Sequence, residues 1–132
     1  MLVKTLDGIE SKWQMASAAA TKKSGPHLAV REFLHEQFKA TQILEEVQIE
    51  VKRNKYLYLD FYIPLYNIAV EIDGAQHREF NPFFGKNPAQ FGKQKINDVL
   101  KSQWCEFNNI TFIRLRDDEE EKRKASLEEI EV

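Results

Sequence analysis

The sequence predicts an α/β (α+β) domain with a central mixed sheet of four strands flanked by helices. Three observations indicate this class. Apolar residues recur at helical spacing over residues 27–40, three β-prone segments follow between residues 43 and 73, and a second helical pattern precedes an apolar strand at 110–116. A chain of 132 residues is long enough to bury one hydrophobic core and is too short for two typical domains.

The first helix is predicted from the segment HLAVREFLHEQFKA, which begins at His27. Its apolar residues lie mostly on one helical face, with charged residues opposite. They are Leu28, Val30, Phe33, Leu34 and Phe38. Before it, residues 1–26 show no sustained period, so we expect an N-terminal arm that is loosely held or contains one helix. Gly25-Pro26 is interpreted as the break that ends this arm.

Three strands are then expected to form a meander. From Glu46 to Val51 the apolar residues alternate with polar ones, which is typical of a half-buried strand. Residues 52–55 form the predicted turn, and the segment YLYLDFYI is strongly β-prone and ends before Pro64. The next segment, NIAVEID, is apolar enough to be covered on both faces, and it ends at Gly74.

The second half of the domain begins with residues 75–92, which contain two prolines, two glycines and four phenylalanines. This composition predicts a long loop that lies over a site as a lid. A helix is predicted from Lys93 to the Asn pair at 108–109, and the segment ITFIRLR is the final core strand. In the tail that follows, the segment KRKASLEEIE is a candidate for another helix.

The composition is that of a water-soluble protein. Hydrophobic residues make up 42% of the chain and charged residues 30%, and no apolar run reaches the roughly 18 residues of a membrane span. The first residues lack the apolar stretch of a secretion signal, so we expect a cytoplasmic protein with no membrane association. Cys105 is the lone cysteine, which excludes an internal disulfide and a cysteine-based zinc site.

The net charge of −2 is unevenly distributed. Residues 117–132 hold eight acidic and three basic side chains, so the rest of the chain is mildly basic. Such a body is compatible with phosphate binding without requiring it. We therefore divide the chain into an N-terminal arm (1–26), a catalytic domain (27–116) and an acidic C-terminal tail (117–132).

The candidate active site consists of carboxylates at one end of the predicted sheet. Asp60 interrupts an apolar strand, and Glu71 and Asp73 lie two residues apart, and therefore on one face, at the end of the next strand. Carboxylates this close repel one another unless a divalent cation lies between them. Hard oxygen ligands, including the backbone carbonyl of Ile72, favour Mg²⁺, with Mn²⁺ as an alternative.

A histidine follows this cluster closely. Gly74 permits a sharp exit from the strand, and a neutral His77 imidazole just beyond it can take a proton from an attacking water. Taken singly, each of these residues has an ordinary explanation as a cap or a solvated side chain. The joint pattern D-x₁₀-E-x-D-G-x-x-H after two apolar strands indicates a hydrolytic site.

The segments LDFYIP, IAVEIDGAQH and INDVLKSQWCEFNNITFIRLR resemble the PD-(D/E)XK nuclease superfamily. Within it, they are similar to the very-short-patch repair endonucleases and related phage homing endonucleases. The resemblance spans residues 28–116 and implies a restriction-endonuclease-like fold and Mg²⁺-dependent hydrolysis of DNA. The catalytic residues that it implies are Glu32, Asp60, Glu71, Asp73, His77 and Asp98.

Two departures from that family pattern matter. Leu59 replaces the proline of the motif, and Asp73 stands where many members carry the lysine. The missing positive charge has three candidates, which are Lys95, Lys101 and Arg114. Asp98 is expected to position His77 or a metal-bound water from behind.

Basic residues near the site are the predicted nucleic-acid contacts. They are Arg78, Lys86, Lys93, Lys95 and Lys101. Phenylalanines interleave with the first of them, an arrangement that can contact phosphates and stack on bases. An alternative is that these phenylalanines simply pack beneath the loop.

The resulting hypothesis is a Mg²⁺-dependent endonuclease that hydrolyses phosphodiester bonds in DNA, with RNA less favoured. It acts as a monomer or a homodimer, and a separate partner is an option for DNA recognition because no DNA-reading module is visible. Two alternatives stay open. One is an inactive nuclease-fold module for nucleic-acid binding or assembly, and the other is a metal-dependent small-molecule phosphohydrolase.

Overall fold

The computed structural model describes residues 1–17, 25–73 and 88–116. Its elements are β1 (Leu2–Lys4), β2 (Glu10–Lys12), α1 (Gly25–Gln37), β3 (Leu44–Lys52), β4 (Lys55–Ile63), β5 (Ile68–Asp73), α2 (Pro88–Phe107) and β6 (Thr111–Arg116). The predicted mixed α/β class with a four-stranded mixed sheet is confirmed. A two-stranded sheet of β1 and β2 accompanies it.

The main sheet has the order β3-β4-β5-β6. β4 pairs antiparallel with β3 and with β5, and β5 pairs parallel with β6. A parallel pair needs a crossover connection, which here includes α2. Because β6 runs beside β5, the ends of these two strands lie at the same edge of the sheet.

Helix α1 packs on one face of the sheet. Its buried side chains, including Phe33 and Leu34, join Phe61 and Val70 in a core cluster that also contains Leu115. The helix begins at Gly25, two residues earlier than predicted, so Gly25-Pro26 forms its first turn instead of a break. Proline is tolerated there because the first helical amides need no partner within the helix.

Helix α2 packs on the opposite face. Trp104 and Cys105 are buried in a second core cluster together with Tyr62 and Ala69 of the sheet. The helix begins at Pro88, so the expectation that residues 88–92 belong to the loop is corrected, again because proline suits a first turn.

Part of the predicted apolar stripe of α2 faces outward. Leu100 and Trp104 are buried, whereas Ile96, Val99 and Phe107 are all more than half exposed. Helical spacing alone could not show which of these apolar residues would meet the sheet. The apolar face of α2 is therefore broader than the part of the helix that packs against the sheet.

The N-terminal residues differ most from the prediction. Residues 1–17 contain a β-hairpin instead of a loose arm or a helix, and Val3 and Trp13 are each 7% exposed within the second core cluster. The segment also bonds to the free edge of β3, through Leu6 N to Val51 O (2.7 Å) and Trp13 Nε1 to Gln48 O (2.9 Å). These bonds satisfy backbone groups that an edge strand would otherwise present to solvent.

Three connections place asparagine in the left-handed region. Asn54 in the β3–β4 turn, Asn67 between β4 and β5, and Asn109 after α2 have φ values of 62°, 55° and 59°. Asparagine tolerates this conformation better than most residues. The predicted turn at 52–55 and the predicted end of α2 at 108–109 are both confirmed.

Within the described ranges, neither helix combines the length and the apolar character required to cross a membrane. The predicted lid residues 75–87 and the predicted acidic tail (117–132) lie outside the described residues.

Candidate functional site

The predicted carboxylates Asp60 and Glu71 meet where β4 and β5 stop pairing. The backbone pairs between these strands run from Ile63↔Ile68 to Phe61↔Val70, and continuing that register places Asp60 opposite Glu71. Both side chains therefore extend from the sheet face that α2 covers. Glu71 is only 4% exposed, and Asp60 is partly buried.

Beyond these backbone pairs, the Asp60 side chain accepts a hydrogen bond from the backbone of β5. Ile72 N donates to Asp60 Oδ2 at 2.9 Å, where a backbone carbonyl would otherwise accept. This bond fixes the position of the carboxylate. Its second oxygen is left available to face Glu71.

Lys101 of α2, the helix that packs on this face of the sheet, contacts the carboxylate pair at Glu71. Its Nζ lies 2.9 Å from Glu71 Oε1, and the Lys101 and Glu71 side chains are 16% and 6% exposed. Although the distance is short, Glu71 Oε1 has no well-aligned hydrogen bond among the described residues. The contact is thus an ion pair whose acceptor keeps unused bonding capacity.

The charges at this site perturb one another. Burial raises the pKa of Glu71 well above its usual range, and the hydrogen bonding and negative charge of Asp60 add to this rise, while Lys101 opposes it. Burial lowers the pKa of Lys101, but Glu71, Asp60 and Asp98 outweigh burial and raise it overall. Lys101 therefore stays charged, and Glu71 holds a proton more tightly than an isolated glutamic acid would.

Asp98 and Arg114 form a second pair beside the first. Arg114 Nη2 donates to the backbone oxygen of Asp98 at 3.3 Å, and its Nη1 lies 4.0 Å from Asp98 Oδ2. Asp98 is 8% exposed, and Arg114 is opposite Glu71 in the β5–β6 register. Asp98 and Arg114, both selected from the sequence, are thus brought next to the carboxylates.

Other predicted residues are placed farther away. Glu32 is exposed on α1, the helix that packs on the other face of the sheet. No hydrogen bond or ion pair joins Glu32 to Asp60 or Glu71 in the described structure. Lys93 is exposed near the start of α2, and Lys95 is partly buried there.

Several predicted site residues lie wholly or partly outside the described residues. The backbone of Asp73 ends β5 opposite Arg116, but its side chain lies outside the described residues. His77, Arg78 and Lys86 also lie outside them. Their roles stay predictions.

The sequence did not single out two buried polar groups on α2. Asn97 Oδ1 and Trp104 Nε1 are buried and have no hydrogen-bond partner within the described part of the chain. Nothing in the spacing distinguishes Asn97 from a solvated helix residue. Trp104 was predicted as part of the apolar stripe, which its burial confirms.

The donor chemistry suits a hard divalent cation. Two adjacent carboxylates and a buried Glu71 oxygen without an aligned donor are groups that Mg²⁺ prefers. Across residues 1–17, 25–73 and 88–116, no group of three His, Cys, Asp or Glu side chains is close enough to hold a metal. The side chain of Asp73, the third predicted ligand, lies outside the described residues.

Two viral proteins are similar to part of the chain. Uncharacterized protein 307L of invertebrate iridescent virus 6 is 42% identical over 62 residues, and uncharacterized protein 033L of invertebrate iridescent virus 3 is 34% identical over 59 residues. The alignments cover 47% and 45% of this chain but only 32% and 30% of the viral proteins. The chain therefore spans about a third of the length of these curated relatives, and their names state no activity.

No protein-family profile matches the chain, and no solved structure matches it.

Proposed function

We propose that the protein is a metal-dependent endonuclease that hydrolyses phosphodiester bonds in DNA. The observation that supports this most directly is the buried Glu71 carboxylate, which lies beside the partly buried Asp60 and 2.9 Å from the Lys101 ammonium. A purely structural role explains them poorly, because burying charged groups costs more than burying apolar residues of similar volume. A buried carboxylate with a strongly raised pKa beside a cation, as at Glu71, is typical of catalytic sites.

In this proposal, Asp60 and Glu71, with the Ile72 carbonyl and Asp73, hold Mg²⁺. When bound, the ion polarises the phosphate and lowers the pKa of water. The bond from Ile72 N holds Asp60 in place before the substrate arrives, so little reorganisation is needed. His77 is proposed to accept the proton of the attacking water.

Lys101 is proposed to supply the positive charge that the motif lacks at position 73. It is the candidate cation that contacts Glu71 directly, and its raised pKa keeps it charged at neutral pH. Beside a metal ion that Glu71 would help to hold, the Lys101 ammonium would stabilise the negative charge that develops on the phosphate. Arg114, held by Asp98, would support the same charge from β6.

The order of elements also supports a restriction-endonuclease-like fold. A helix precedes two antiparallel pairs, and a second helix on the opposite face leads to a strand parallel to β5. We propose this finer classification together with the activity.

The test is cleavage of supercoiled plasmid by the purified chain with Mg²⁺, with Mn²⁺ or with EDTA. We expect cleavage with either metal and none with EDTA, and Asp60→Asn should lower the rate by about 100-fold or more. Asp7→Asn, the same change at an exposed hairpin position, is the matched control and should cleave normally. Full activity in EDTA would reject the metal mechanism.

Two further measurements separate the alternatives. Hydrolysis of a nitrophenyl phosphate ester but not of plasmid would favour a small-molecule phosphohydrolase. Binding of plasmid without cleavage, together with no calorimetric binding of Mg²⁺ or Mn²⁺, would favour an inactive binding module.

A further inference from the structure

Helix α2 carries an apolar surface on the side that faces away from the sheet. Ile96 and Val99 are 60% and 54% exposed, although aliphatic side chains of this size are usually buried. Together with Lys95 and Leu100 they line an open depression of about 260 Å³. Val99 lies two residues before Lys101, so it points to the other side of the helix from the contact with Glu71. We call Ile96, Val99 and Leu100 the α2 patch.

The acidic tail (117–132) begins close to this patch. A short turn joins α2 to β6, so the two run in opposite directions, and Arg114 donates to the backbone oxygen of Asp98 at 3.3 Å. β6 ends two residues later at Arg116, which is therefore level with the turn of α2 that precedes Asp98. That turn contains Ile96. The chain thus leaves the sheet beside the α2 patch.

The tail is also long enough to reach the whole of the helix. Leu127 follows Arg116 by eleven residues. An extended chain of that length spans up to roughly 36 Å, and the 20 residues of α2 extend over roughly 30 Å. Because every turn of α2 lies within reach, side-chain chemistry decides which turn the tail contacts.

The apolar residues of the tail match the α2 patch in number and spacing. Leu127 and Ile130 are three residues apart, as are Ile96 and Val99. In the helix that the sequence predicts for residues 122–131, two residues at this spacing share one face. Such a face can pack against the corresponding face of a second helix.

Charge favours the same end of α2. Lys93 and Lys95 lie beside the patch, and residues 117–132 hold eight acidic and three basic side chains. Phe107 is 51% exposed at the other end of the helix, but it follows the acidic Glu106. An acidic segment is therefore attracted to the beginning of α2, where the helix dipole is also positive, and repelled from its end.

A second copy of the chain suits the patch less well. A twofold contact through this surface would bring the same lysines of two copies together. Stable complexes between separate proteins bury about 800 Å² on each partner, which is far more than three side chains offer. A tethered segment needs less contact, because its effective concentration is in the millimolar range.

We propose that the acidic tail docks on the α2 patch of its own chain, with Leu127 and Ile130 against Ile96 and Val99. The docked tail covers the outward apolar face of the helix. It also brings an acid-rich segment alongside the helix that carries Lys101. This docking does not depend on the proposed nuclease activity.

Paramagnetic relaxation enhancement in the full-length protein tests the docking. Ala125→Cys introduces a nitroxide site in the tail, and wild type treated with the same reagent gives the background from Cys105. We expect the amide signals of Ile96 and Val99 to lose intensity while the nitroxide is oxidised and to regain it after ascorbate is added. The signal of Lys52, in the turn after β3, should keep its intensity.

Paired substitutions on α2 locate the contact. Val99→Asp should abolish the loss of intensity at Ile96, whereas Phe107→Asp, the same change at a similarly exposed position of the helix, should preserve it. Leu127→Asp should abolish the loss from the side of the tail, and unchanged signals from the sheet would show that the variants fold. High salt should weaken the effect, because part of the attraction is between exposed charges.

Several results would overturn the docking. One is the absence of any loss of intensity at Ile96 and Val99. Others are a loss that survives Leu127→Asp, and a loss that Phe107→Asp removes as completely as Val99→Asp does.

A mixed sample separates docking within one chain from docking between two chains. It combines isotope-labelled protein without a nitroxide and unlabelled protein that carries the nitroxide at position 125. We expect no loss of intensity in this mixture. A loss there would assign the α2 patch to a second copy and would contradict docking within one chain.

Discussion

The two faces of β4 and β5 differ although neighbouring residues supply them. Phe61 and Val70 point toward α1 and are completely buried in an apolar cluster, whereas Asp60 and Glu71 point toward α2. Both faces share one backbone and the same strand pairing, so the difference lies in the side chains alone. Toward α1 these strands contribute apolar burial, whereas toward α2 they combine apolar residues such as Tyr62 and Ala69 with the buried charge of Glu71, which a stable core would avoid.

The largest expected change in stability follows from truncating an apolar side chain that faces α1. Phe61→Ala should lower the free energy of unfolding by about 3–5 kcal/mol, because it leaves a cavity in a packed core. It also removes the ring stacked 4.6 Å from His27. Urea unfolding measures the loss.

Leu65→Ala is the control for this substitution, since Leu65 is 73% exposed and its loss should change stability by about 0.5 kcal/mol at most. If Phe61→Ala were as mild as the control, the face toward α1 would not be the main source of stability.

A smaller loss of stability is expected when one charge of the Lys101–Glu71 pair is removed. Lys101→Gln removes the cation beside Glu71 and should cost about 3 kcal/mol at neutral pH, as for other buried pairs that lose one partner. Adding Glu71→Gln should restore most of that loss, because no unpaired charge is then left.

Thermal unfolding of the single and double variants, measured without metal, gives this coupling. Lys93→Gln, on an exposed turn of the same helix, is the control and should be nearly neutral. Additive effects at positions 71 and 101 would contradict the pairing.

The third prediction concerns pH. The raised pKa of Glu71 means that the folded protein holds this proton more tightly than the unfolded chain. Stability from this group is therefore present below the ordinary carboxyl value of about 4.5 and is lost as pH rises toward the folded pKa.

Glu71→Gln cannot lose that proton. The Tm of this variant relative to wild type should therefore rise with pH across the acidic range. The change should be smaller than those of Phe61→Ala and Lys101→Gln, because Lys101 offsets part of the negative charge on Glu71. A difference in Tm that stays constant with pH would contradict the assignment.

The smallest effect is expected at Cys105. Burial, reinforced by Glu71, raises the pKa of its thiol to about 12, and the side chain is fully buried. Iodoacetamide at about pH 8 should therefore leave the native protein unmodified and label it only after denaturation, as mass spectrometry can show. Rapid labelling of the native protein would mean that α2 opens readily from the sheet.

The sequence predicted the main elements because their periods are long and regular. The alternation through β3 and the apolar segments of β4, β5 and β6 required no tertiary information. The hairpin of β1 and β2 was missed, since its strands have three residues each and its two core residues, Val3 and Trp13, are too far apart to show a period. Only tertiary packing makes that segment regular.

Regular strand patterns also allowed part of the site to be predicted. Asp60 and Glu71 stand out within apolar strands, and strand pairing brings them together. The sequence left Lys95, Lys101 and Arg114 as equal candidates for the missing cation, because helix rotation and strand register decide which one reaches Glu71. Lys101 makes that contact, and Arg114 instead bonds to Asp98.

The contact between Lys4 and Asn108 has a consequence for the order of folding. Lys4 N donates to Asn108 Oδ1 at 2.7 Å, and Asn108 Nδ2 donates to Lys4 O at 2.9 Å, across 104 positions of the chain. Contacts this remote in sequence slow folding, since the intervening chain must be ordered first. During translation the hairpin is made first, yet it cannot complete these bonds until the end of α2 has left the ribosome.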